Sequence, residues 1–230
     1  MQARVRRAPH GPDARGYAGL VGEAQRGAMD GLVVVAAADF DYRELVLNWV
    51  MHAHQLGYAN SLVLSMDVEL HADLVARNVP SFDNSALLDE WNATCLTRHI
   101  QRVRMERHLG LAALVSAGLD VLHTDATAVF VRGFVPELRA DAATHDAAFL
   151  VQRDVGPAVA KLGRSGGPGF VYLRAKRRAA VVRFIHGVVT RGLVEFYLRH
   201  GRYLHAISQS RAAVDTSPRR LRWANNVDQF

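Results

Sequence analysis

The stretch Gly118-Leu-Asp-Val-Leu-His-Thr-Asp-Ala-Thr-Ala-Val-Phe-Val-Arg-Gly-Phe134 decides the fold. Leu119 to His123 reads as a short buried strand. Asp125 follows in an acidic loop, and Ala128 to Val131 is a second apolar run that reads as another strand. A strand, a carboxylate and a second strand place an oxygen ligand at the carboxyl edge of an α/β sheet, the edge where open sheets of this class bind ligands. The residues upstream would build the sheet that presents Asp125, and those downstream would close a pocket over it.

Before this stretch the pattern alternates strand and helix. Leu32 to Ala38 is a continuous valine-rich apolar run, suited to a strand buried on both faces. Asp39-Phe40-Asp41 interrupts it. From Tyr42 the apolar residues recur at helical spacing through Leu56, and Gly57 stops the helix. Leu62 to Met66 predicts a second strand ending at Asp67, and Val68 to Arg77 a short helix. This order predicts a parallel sheet with right-handed crossovers. Residues 80–95 read as loop or short helix. Thr97 to Ala117 reads as an amphipathic helix whose arginines form a solvated face; one of them could instead fork onto a phosphate. Beyond the focal stretch, Ala147 to Gln152 and Phe170 to Leu173 predict strands, with a glycine-rich loop at 161–169 between them. Ala175 to about Arg199 predicts a long helix.

Composition narrows the function classes. The chain has 230 residues, half of them apolar, enough for one large domain or two small ones. Residues 1–30, rich in Arg, Gly and Ala without periodicity, read as a disordered leader, and 31–230 as the domain. The abrupt end after Asn225-Asn226-Val227-Asp228-Gln229-Phe230 reads as a domain truncated at its C-terminus. The net charge of +6 comes mostly from dispersed arginines, with no nucleic-acid recognition motif beside it. The lone Cys95 excludes an intrachain disulfide and a cysteine zinc site. No apolar run is long enough to span a membrane, and the N-terminus has no signal-peptide core. The histidines form no zinc-enzyme spacing.

Three stretches together resemble the nucleotide-diphospho-sugar transferase family of plants and algae, which includes arabinosyl- and xylosyltransferases of cell-wall glycans. The first runs from Val33 through Asp39-Phe40-Asp41-Tyr42, Asn48-Trp49 and Leu56-Gly57 to Asp67. The second is the focal stretch, similar to the family's strand and Asp-x-Asp loop. The third pairs Gly169-Phe170 with Asp228-Gln229. The resemblance covers about 32 to 230. It implies a GT-A fold, a mostly parallel Rossmann-like sheet flanked by helices. It implies a glycosyltransferase that moves a pentose or hexose from a UDP-sugar-type donor to a glycan or glycoprotein hydroxyl, with retention and with Mn²⁺ or Mg²⁺. It also implies the Golgi lumen as location. On the same footing Asp125 and Thr127 would hold the metal, and Asp39, Asp67, Asp125, Thr127 and Gly169 would bind the donor. Asp228 and Gln229 would line the sugar pocket as catalytic positions. A hard cation suits this chemistry, because it takes carboxylate oxygens and bridges a diphosphate.

Departures from the pattern keep a second reading open. The second acidic position is Thr127, a weaker ligand for a divalent cation than a carboxylate. Gly133-Phe134 stands where the family has Asp-Pro, Gly167 where it has Asn, and Phe130 where it has Trp. The alternative is a catalytically degenerate protein of the same fold that binds a glycan or a protein partner. Asp120 at the strand start, His123 within the strand, and Asn48 and Trp49 on the first helix read as structural. Asp228 and Gln229 could equally be an ordinary helix start.

Overall fold

The computed structural model describes residues 17–91, 99–153 and 166–199. Cys95, residues 161–165 of the glycine-rich loop, and Asp228 and Gln229 lie outside them. The elements run α1 (Ala18–Gly27), β1 (Leu32–Ala38), α2 (Arg43–Gln55), β2 (Ser61–Ser65), α3 (Val68–Ala76), β3 (Ser81–Asp83), α4 (Ser85–Glu90), α5 (His99–Ser116), β4 (Asp120–Thr124), α6 (Val135–Thr144), β5 (Phe149–Arg153), β6 (Gly166–Leu173) and α7 (Arg178–Arg199). Short 3₁₀ turns at Phe40–Tyr42 and Ala175–Arg177 lead into α2 and α7.

The six strands form one sheet in the order β3-β2-β1-β4-β6-β5. β1 pairs in parallel with β2 and β4, and β2 with β3. β6 runs against both neighbours, so β5 points the same way as β4. The expected α/β architecture, a mostly parallel Rossmann-like sheet flanked by helices and compatible with a GT-A fold, is therefore present. β1 shows why its sequence has no polar residue. Val33 and Val35 enter the core beneath α1, α5 and α7, whereas Leu32, Val34 and Ala36 enter the core beneath α2, α3 and α6. A strand covered on both faces has no side left for water.

Four expectations need correction. Residues 17–27, expected within a disordered leader, form the ordered end of the domain, because α1 packs on it with Tyr17 and Leu20 fully buried. Tyr17 donates its hydroxyl to Glu106 Oε1 at 2.7 Å, and Trp91 Nε1 donates to Glu106 Oε2 at 2.8 Å. Burial, then the Glu106 charge, raises the Tyr17 pKa far above the ordinary phenol value. This carboxylate, itself fully buried, joins α1, α4 and α5. Secondly, residues 80–95 include a strand, β3, which extends the sheet beyond β2. Thirdly, α5 is not amphipathic throughout: Leu109 to Val115 are buried all round, because the sheet lies on one side and α1 and α7 on the other. Finally, Ala128–Val131 forms no strand; Phe130 turns inward while Val129 and Val131 are 54% and 87% exposed.

The two structural readings within β4 hold. Asp120 Oδ2 accepts the Tyr172 hydroxyl at 2.7 Å and Oδ1 accepts the Ala175 N–H at 2.8 Å, which ties β4 to β6 and to the start of the last helical segment. His123 is buried within the sheet. Trp49 is buried as expected, with its Nε1 donating to Thr124 Oγ1 at 2.7 Å; Asn48 beside it is exposed.

Candidate functional site

The strand order reverses between β1 and β4. From β1 the chain builds outward through β2 and β3, then returns to the other side with β4. That crevice, at the carboxyl ends of the strands, is the switch point where this class of sheet binds ligands. Asp39 follows β1, Asp67 lies just beyond β2, and Asp125 follows β4, so three of the anticipated residues share one edge.

The helix before β4 supplies the rest of the site, and its length explains how. α5 has 18 residues, which at 1.5 Å per residue is about 27 Å. β4 has 5 residues, about 16 Å. The two run antiparallel around the turn at Gly118, whose φ of +91° suits glycine. The N-terminal part of α5 must therefore overhang the carboxyl edge by about 10 Å. His99 and Arg107, at i and i+8, share the face that looks onto it.

Arg107 Nη1 donates to Asp125 Oδ1 at 3.3 Å. The two partners differ in exposure, with 14% of the arginine side chain and 48% of the carboxylate side chain accessible. Burial lowers the Arg107 pKa, Asp125 opposes that shift, and Arg104 adds to it. Arg107 Nε is buried and has no hydrogen-bond partner among the described residues. The arginine face of α5 is thus not wholly solvated, since this member turns inward. At the end of β1, His99 Nε2 lies 3.4 Å from Asp39 Oδ2, an ion pair only when the imidazole is protonated. Asp39 Oδ1 is also buried and takes no hydrogen bond among the described residues.

Asp67 is more firmly engaged. Its Oδ2 accepts the Phe40 N–H at 2.7 Å and its Oδ1 accepts the Leu70 N–H at 2.7 Å. It caps α3 and fixes the turn after β1, as an N-cap carboxylate does. Thr127 occupies the corner of a turn closed by the Ala128 N–H to the Asp125 carbonyl at 2.9 Å, and it is exposed. Gly169 accepts the Asp125 N–H on its carbonyl at 2.9 Å. A Cβ at Gly169 would stand 2.8 Å from Asp125 Oδ2. The glycine leaves the room that the carboxylate fills.

The segment from Ala126 to Phe134 is held by rings rather than by a strand ladder. Phe130 packs against Trp49 and Tyr58 with centroids 6.0 Å apart in each case, and Phe134 lies 5.4 Å from Phe170. The Tyr58 hydroxyl accepts the Phe134 N–H at 2.9 Å. Between this segment, α6 and β5 lies an open cavity of about 610 Å³, lined by Phe130, Phe134, Leu138, Leu150 and Phe170.

Sequence reasoning left Arg107 among four equivalent arginines and passed over His99. The signal that singles them out is the overhang of α5, obtained by counting back from Gly118.

The implied divalent cation was tested against these donors. Among the described residues no group of three or more His, Cys, Asp or Glu side chains comes together to hold an ion. Asp125 offers one carboxylate, one of whose oxygens already faces a guanidinium, and its companion is an exposed hydroxyl. A hard dication at a phosphate site takes its ligands from one or two carboxylates, phosphate oxygens and waters. The described residues offer one carboxylate, already paired, and no cage that would hold the ion without a bound ligand.

No family model matches the chain. A stretch of 109 residues is 24% identical to Arabinosyltransferase XEG113 of Arabidopsis thaliana. It spans 47% of this chain and 17% of that protein's length. The chain is thus distantly similar to a plant glycosyltransferase, over a small part of it.

Proposed function

We propose that this protein is a glycosyltransferase that takes its sugar from a nucleoside diphosphate donor bound at the crevice between β1 and β4. The observation that carries the reading is the pairing of a half-exposed carboxylate, Asp125, with a largely buried guanidinium, Arg107, at the sheet's switch point. Exposed ion pairs of no function are common, but here the arginine is removed from water at the edge where this fold class binds ligands. The distant similarity to an arabinosyltransferase supports the same class.

In this reading Asp39, whose side chain is partly exposed beside His99, lies on the nucleoside side of the crevice. Asp67 holds the turn that carries Asp39, and Gly169 makes room for the Asp125 carboxylate. Thr127 lies at the rim. Asp228 and Gln229 would serve the sugar pocket. The aromatic cavity beside Phe134 and Phe170 would receive the acceptor, a glycan or glycoprotein hydroxyl, since ring faces suit the apolar face of a sugar. The protein's part is to bind and orient the donor in a partly dry crevice and to stabilise charge on the departing diphosphate. Retention at the sugar carbon and a Golgi location belong to the same proposal. Among the described residues no helix is long and apolar enough to cross a membrane.

The test is thermal denaturation of the full chain with UDP, with and without Mn²⁺. A ligand that binds the native state alone must raise its melting temperature. A rise that saturates with UDP is expected. No shift at millimolar UDP in either buffer would sink the proposal and favour the degenerate binding protein.

A further inference from the structure

We infer that Arg107 supplies the fixed cation of this site, so that a diphosphate-bearing ligand binds at the β1–β4 crevice without a divalent metal ion. The inference rests on the nucleotide-sugar reading and names what neutralises the diphosphate within it.

The described residues give Asp125 one neighbour of opposite charge, Arg107, and no set of three anionic or imidazole groups that would cage an ion. They do give a guanidinium. A guanidinium is planar, always charged and forked to match phosphate oxygens, so it can do by hydrogen bonding what a bound dication does by coordination. Arg107 is placed for this. Its helix overhangs the strand ends, only 14% of its side chain is exposed, and its Nε is buried without a partner among the described residues.

Asp125 is then the resident counter-ion. With 48% of its side chain exposed, it can return to water at little cost, whereas Arg107 cannot. An incoming diphosphate would take over the Nη1 donor and engage Nε, and Asp125 would swing outward. Gly169 is relevant here. Its missing Cβ leaves space beside Asp125 Oδ2, and any side chain there would crowd the carboxylate in its present position. Arg104 lies near enough to act on Arg107 electrostatically, which adds positive potential at the same helix end.

This assigns Asp125 a role opposite in sign to that of a metal ligand, and the sign is testable. Calorimetric titration of the full chain with UDP would be run in EDTA and again in Mn²⁺, for the wild type and for Arg107→Met, Arg107→Lys and Asp125→Asn. UDP should bind in EDTA, and Mn²⁺ should change its Kd by less than about twofold. Arg107→Met should weaken binding about tenfold or more, the scale of a lost charge-assisted bidentate contact. Arg107→Lys should fall between. Asp125→Asn should bind UDP at least as tightly as the wild type, because a competing anion has been removed. Asp125→Asn also guards against misfolding of the arginine variants, since it keeps shape and tests the same pair from the other side. UDP binding that requires Mn²⁺ and is abolished in Asp125→Asn would overturn the inference while leaving the transferase reading intact. UDP binding in neither buffer would overturn both.

Discussion

Asp120 and Asp125 flank the same short strand and are used in opposite ways. Asp120, at the start of β4, has both oxygens engaged, one by the Tyr172 hydroxyl and one by the Ala175 N–H. Asp125, just past its end, meets a single guanidinium nitrogen at 3.3 Å and keeps about half of its surface in water. The first carboxylate is consumed by the fold, and the second keeps capacity to bind. Neighbouring residues on α5 repeat the contrast. Glu106 is buried between Tyr17 and Trp91 and fastens the N-terminal helix, while Arg107 turns to the open edge.

The contrast breaks most clearly on stability. Asp120→Ala strands a buried hydroxyl and a backbone N–H, and should cost about 2–3 kcal/mol in urea denaturation. Asp125→Ala removes a half-exposed carboxylate but leaves the largely buried Arg107 without its counter-ion, and should cost less, about 1 kcal/mol. Equal losses would mean that Asp125 is as structural as Asp120.

Alkaline denaturation tests the Asp120 side next. Burial, then the Asp120 hydrogen bond and charge, push the Tyr172 pKa up to about 12, against an ordinary phenol near 10. The folded state therefore keeps a proton that the unfolded chain releases first. The stability from this group is fully present below pH 10 and is lost as pH rises from about 10 to 12. Over that interval the wild type should fall more steeply than Tyr172→Phe, by about 2 kcal/mol. Parallel curves would show that the hydroxyl is not held by Asp120.

The smallest expected effect is at Gly169. Gly169→Ala should cost less than about 1 kcal/mol, because the crowded atom is the end of a side chain that can rotate into solvent. It should nevertheless change UDP affinity severalfold by moving the carboxylate that competes for Arg107. A variant with unaltered melting temperature and unaltered affinity would make the Gly169–Asp125 contact incidental.

The alternation of strand and helix was legible because each strand carries its own signal. β1 is apolar on every residue, Asp67 caps the helix after β2, and Gly57 and Gly118 end helices with φ of +80° and +91°. The edge position of Asp125 followed from the same pattern. β3 was not legible, since three residues, Ser81-Phe82-Asp83, are too few to show periodicity. The apolar run at 128–131 misled for the opposite reason. Its hydrophobicity serves a ring cluster with Trp49, Tyr58 and Phe134, and no strand partner is offered to it. α1 was hidden because its anchors, the buried Tyr17, Leu20 and Ala24 and the Tyr17–Glu106 hydrogen bond, are long-range and too few to show a periodic apolar face.

The sequence by itself determined the α/β class and the strands that carry Asp39, Asp67 and Asp125 to one edge. Local patterns of burial and capping suffice for these, because each is written within one turn or one strand. Only the tertiary structure decided that both oxygens of Asp67 are spent on backbone N–H groups and which arginine faces the crevice. That choice depends on the relative lengths of α5 and β4 and on which groups meet across the sheet, and neither is encoded at any single position.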